Sequence, residues 1–230
     1  MTAPDFARTE LNGLTDGDIQ FLIENFPKPG RSYEEIASLI HDLPATLESR
    51  LNSQSLFERI CDPSERILQI SPFLFFSVLL RRSLTDCRIL GDRRVINYLS
   101  NLLSIFVQTN RLYRVYQHDR QTASYLTDMI EEAQNADPRR QFLIYSHIGN
   151  YSLYITGLFP ESIEYRRRYK NRPLGAQFYI DFGREYYEHA SGHTIARQYE
   201  LDEVFFRLSI MFEVYKDALN HLAKQYLILS

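Results

Sequence analysis

The chain reads as an all-α protein, one multi-helix, bundle-like domain with a short-helix amino-terminal extension. Three observations predict it. Apolar residues recur at steps of three and four rather than two. Glycine and proline number only nine each in 230 residues, so few positions break a helix. Cap residues stand in front of most of the apolar-periodic runs. With 44% hydrophobic and 13% aromatic content, the chain can bury a sizeable core.

Residues 1 to 14 read as a mobile lead-in and residues 15 to 230 as the domain, in which short helices over 15 to 62 pack on a larger body over 71 to 229. Thr15 with Asp18 forms a capping box ahead of IQFLIENF, which Pro27 and Pro29 must end. Ser32 with Glu35 opens YEEIASLIHDL, and after Pro44 a further helix runs through ATLESRLNS. Helices this short need something larger to pack on.

Ser71 followed by Pro72 starts that body, because proline lacks only a donor that the first turn leaves unpaired. The run PFLFFSVLL is apolar nearly all round and stops at Arg81 and Arg82. It is about half of the roughly 20 residues a membrane span needs. Asp92 opens the next helix, with Val95, Leu99, Leu102, Leu103 and Phe106 inward, and Thr122 to Ala136 forms another. Asp137-Pro138 then begins a segment that is almost wholly apolar or aromatic from Phe142 to Leu158, with Gly149 in mid-helix. Leu174 to Ala190 follows, and one long amphipathic helix is expected from Ile195 to Leu229.

Composition excludes several function classes. A net charge of −3 and a pI near 6.1 argue against broad capture of nucleic acid, which needs a basic face. Cys61 and Cys87 make no CxxC pair, which fits a reducing cytosol and a cytoplasmic protein. The amino end has no apolar h-region, so no secretory signal is expected. Nucleotide-loop, GxSxG and HExxH motifs are missing. No histidine has a glutamate three residues before it, which disfavours carboxylate-bridged di-iron bundles.

Three constellations can still carry chemistry. Glu185, His189 and His193, each four apart, would project within one narrow arc of a helix and could hold a metal. Ser191 and Gly192 between the histidines also suit a break between two helices, which would remove the spacing. His147, Gly149, Tyr151 and Tyr154 would line a small-molecule pocket where the missing side chain of Gly149 leaves room; the alternative is a close helix contact with tyrosine hydroxyls at the core edge. Arg166, Arg167, Arg168, Lys170 and Arg172 make a basic run that could dock anions or an acidic partner, or be a solvated helix end. Arg81, Arg82, Arg88, Arg93 and Arg94 form a second basic group, offset by Asp86 and Asp92.

The sequence therefore favours a non-enzymatic protein that binds another protein or itself, with a homodimer expected. No cofactor is predicted by any motif. The alternative is a helical-bundle pocket holding a metal, a haem on a single axial histidine, or a small organic ligand.

Overall fold

The computed structural model describes residues 3–25, 44–62, 70–115, 119, 126–169 and 174–227. All regular structure among them is helical: α1 (Asp16–Glu24), α2 (Pro44–Leu51), α3 (Gln54–Ile60), α4 (Pro72–Asp86), α5 (Arg93–Phe106), α6 (Leu126–Asn135), α7 (Pro138–Leu158), α8 (Pro160–Tyr169), α9 (Ala176–Gly192), α10 (Thr194–Gln198), α11 (Asp202–Ile210) and α12 (Phe212–Leu222). The helix expected after Ser32 and the start of the one expected from Thr122 lie outside the described residues.

Side-chain oxygens begin the helices where the sequence places caps, because each accepts from an amide that the first turn leaves unpaired. Thr15 and Asp18 close a reciprocal capping box on α1. Ser71 caps Leu74, Asp92 caps Arg94 and Val95, and Asp137 caps Arg139 and Arg140. Asp18 is fully buried yet well supplied: it accepts from Thr15 N at 2.8 Å and Ser71 N at 2.7 Å, fastening the start of α4 to α1.

The main core is built around α7. Helix α9 packs along it, α12 and α6 cover other faces, and α11 bridges α9 to α5. Phe142, Ile144, Ile148, Leu153, Tyr187, Phe205, Phe212 and Leu219 are all within 1% of complete burial. Two glycines of α7 let its neighbours approach: a Cβ on Gly149 would lie 2.7 Å from the Tyr187 ring, and one on Gly157 would lie 2.7 Å from Leu219 Cβ. A smaller cluster forms where Leu22, Leu47, Leu51, Leu56 and Ile60 from α1 to α3 meet Leu74 and Val78. Helix α4 is apolar nearly all round because its faces serve both clusters.

Two expectations are corrected. Residues 3 to 14 are packed, not a loose lead-in. Phe6 is 5% exposed in the main core, edge-on to Tyr98, while Asp5 O and Thr9 O accept from Asn101 and Asn97. The long carboxyl-terminal helix is broken. Glu200 takes a left-handed φ of 54°, and Leu201 N reaches back to Ala196 O at 2.8 Å, the closure of a helix stop; buried Leu201 holds it in place. A second break falls at Met211, and the last described turn, Ala223–Leu227, is a π-helix. Among the described residues no helix is long and apolar enough to cross a membrane.

Candidate functional site

The histidine pair is decided by the backbone at His193. Helix α9 runs through Gly192, and His193, with φ −74° and ψ 138°, is extended. There it serves as the cap of α10, its Nδ1 accepting from Ile195 N at 3.2 Å, while its ring lies 5.6 Å from Phe142. His189 stays on α9, 3.5 Å from Glu185 Oε1 and against Tyr145 and Tyr186. The expected Glu185, His189, His193 metal set is therefore corrected: the turn at His193 rotates its ring out of the arc. Among the described residues no three His, Cys, Asp or Glu side chains are arranged to hold a metal ion.

The expected pocket around His147, Gly149, Tyr151 and Tyr154 is corrected in the same way. Tyr187 fills the space beside Gly149. Tyr151 packs on Tyr179, and Tyr154 lies between Phe106 and Phe159. His147 is 3% exposed and its Nε2 donates to Leu112 O at 3.1 Å, so the nitrogen a haem would use is engaged. The polar centre is instead Asn150, whose Oδ1 accepts from Tyr98 and Tyr187 at 2.7 and 2.8 Å. The sequence carried a signal for Asn150, an amide in the most apolar helix, but not its partners 52 and 37 residues away.

Burial pushes the His147 imidazole down to about 4 from an ordinary value near 6.5, with the Leu112 carbonyl opposing in part. The unfolded chain then binds a proton near pH 6.5 that the folded chain refuses until about pH 4. Stability from this group is complete above pH 6.5 and is lost as pH falls through that interval, by about 3 kcal/mol in all. We expect His147→Gln to flatten the pH dependence of unfolding between pH 6.5 and 4.5. Urea titrations at both pH values check this, and an unchanged slope would refute it.

A cluster that the sequence signalled only through Arg82 and Asp86 joins α4 to the carboxyl end. Asp86 accepts from the Tyr226 hydroxyl, lies 2.9 Å from Arg82 Nε and faces His221 Nε2 at 3.4 Å. Phe57 sits beneath Arg82 and edge-on to Tyr226. Its evident effect is to fasten the last π-helical turn to α4.

Helix α8 presents an unfilled surface. Pro160 starts it directly after Phe159, and Ile163, 1% exposed, is its anchor in the core. Arg166 turns back to Ser162 O, and Arg167 pairs with Glu164 at 2.8 Å. Tyr165 and Tyr169, four apart, are 55% and 72% exposed with ring centroids 5.1 Å apart. With Pro160, Glu161, Glu164 and Arg168 they line an open groove of about 510 Å³. Of the basic run, Arg168 lines this groove and Arg166 and Arg167 are held within the helix; Lys170 and Arg172 lie outside the described residues. The two tyrosines were legible as an i, i+4 pair flanking the three arginines. No protein family, curated protein or solved structure matches the chain.

Proposed function

We propose that this chain is a non-enzymatic helical protein that acts by binding protein, and that its binding surface is the exposed face of α8. The observation that carries this reading is the stripe of Tyr165, Arg168 and Tyr169. Tyrosine and arginine are the side chains that concentrate binding energy at protein interfaces, since each offers a large flat surface with a polar end and little entropy to lose. Two rings more than half exposed, 5.1 Å apart and tilted by 40°, keep apolar surface in water in the free protein that a partner would cover. The two free thiols, Cys61 and Cys87, support a reducing, cytoplasmic setting.

The test is the double substitution Tyr165→Ala and Tyr169→Ala. Both side chains are exposed, so unfolding free energy should change by no more than about 0.5 kcal/mol for each. Affinity for a partner retained by the native chain should fall by about 2 kcal/mol or more, roughly thirtyfold. A partner held equally by both proteins would refute the assignment of this face.

A further inference from the structure

We infer that the occupant of the α8 face is a second copy of this chain, bound with its α8 antiparallel to the first. This rests on the reading of α8 as the binding surface and names its partner. An isologous interface requires a patch complementary to itself about a two-fold axis, and the order of side chains along α8 meets that requirement. The acidic groups, Glu161 and Glu164, stand toward its amino end; Arg168 and Tyr169 stand toward its carboxyl end. A two-fold axis crossing the helix between Glu164 and Tyr165 sets Glu161 opposite Arg168 of the partner subunit, and Arg168 opposite Glu161 of the partner subunit. The same axis lays Tyr169 on Pro160 of the partner subunit and brings the two Tyr165 rings together at the centre. Thus five of the six residues lining the groove acquire a counterpart of suitable chemistry, the sixth being Glu164.

Charge at the two ends selects this arrangement. In a parallel pair the acids would face acids and the arginines arginines, whereas the antiparallel pair also opposes the helix dipoles. Glu164 is already paired with Arg167 in its own helix, which leaves Glu161 and Arg168 as the intermolecular pair. A ten-residue helix is about 15 Å long, so the buried area falls at the small end of specific interfaces and the dimer is weak and concentration-dependent.

Sedimentation equilibrium across a concentration series tests this with Glu161→Arg, Arg168→Glu and their mixture, circular dichroism confirming that each variant is folded. The native chain should dimerise. Each single reversal places like charges together at both ends and should raise the dimer dissociation constant at least about tenfold. An equimolar mixture of the two variants makes both pairs complementary again and should form a heterodimer about as tight as the native dimer. A native chain monomeric up to about 1 mM, or a dimer indifferent to both reversals, would overturn the proposal. If the native chain is monomeric while Tyr165→Ala with Tyr169→Ala still abolishes binding of another protein, the α8 surface stands and only its occupant is wrong. If that double variant binds other proteins normally, the binding reading itself fails.

Discussion

Replacing Asn150 with leucine should destabilise the protein by about 3 to 5 kcal/mol, among the largest effects expected of one substitution in the main core. Leucine has the same number and branching of side-chain heavy atoms as asparagine, so it leaves no cavity and the larger part of the loss is polar. Asn150 is 1% exposed, and Tyr98 and Tyr187, which donate to its Oδ1, are wholly buried. Without the amide, both hydroxyls stay in an apolar interior with no acceptor, at roughly 1 to 3 kcal/mol each. Burial already pushes both phenols well above their ordinary range, so neither can ionise to escape. The deciding comparison is the triple variant Asn150→Leu, Tyr98→Phe and Tyr187→Phe. Removing the orphaned hydroxyls should recover most of the loss, because replacing all partners of a buried hydrogen bond by apolar groups is far cheaper than removing one. Urea midpoints with unchanged slopes would report this. A single-variant loss under about 1 kcal/mol would mean that the amide does not organise the core.

How much of this was legible in the sequence depends on the range of the interaction. Helix starts at Thr15, Ser71, Asp92 and Asp137 were readable because a cap bonds an amide two or three residues ahead. The role of Gly149 was half readable: a mid-helix glycine implies a close neighbour, but only the fold shows that Tyr187 of α9 occupies the gap. The His189 and His193 spacing misled until the turn was known. Ser191-Gly192 permitted both a continuing helix and a stop, and what settles it is the extended backbone of His193 and its bond to Ile195 N. The stop at Glu200 carried no local sign at all. A glutamate in the left-handed region costs about 1 to 2 kcal/mol, and the burial of Leu201, its bond back to Ala196 O and the reach of Arg94 to the Glu200 carbonyl offset that cost. The packed amino end was missed for a similar reason: Phe6 is one aromatic in a polar stretch, and its place beside Tyr98 and Phe142 depends on residues about 90 and 136 positions away.

The second large effect is expected from Glu48→Ala. Arg81, on α4, is 2% exposed, and burial lowers its pKa although Glu48 pulls the other way. Its guanidinium donates to Glu48 Oε2 at 2.9 Å, to Asn97 Oδ1 at 2.8 Å and to Ser77 O at 3.1 Å. Asn97 in turn donates to Thr9 O at 3.1 Å. One buried cation thus ties α2, α4, α5 and the amino-terminal strap together. Removing Glu48 takes away the countercharge while the cation stays inside, and breaking a buried pair in this way costs about 3 to 5 kcal/mol. The Glu48 side chain is 18% exposed, so water can partly replace it and the lower end, about 3 kcal/mol, is the expected value. Arg93, 3.9 Å from the other Glu48 oxygen, cannot compensate because it adds a second positive charge. If the charge is the cause, Arg81→Met in the Glu48→Leu background should be more stable than Glu48→Ala alone, since no uncompensated charge then remains inside, even though buried Asn97 Oδ1 loses the donor that Arg81 supplied. Hydrogen exchange adds a local check: amides of α2 and those around Thr9 should lose protection in Glu48→Ala before those of α7 and α9, because the network fastens the extension to α4 and lies outside the α7 core. Equal loss everywhere would show instead that the extension and the main core open as one unit.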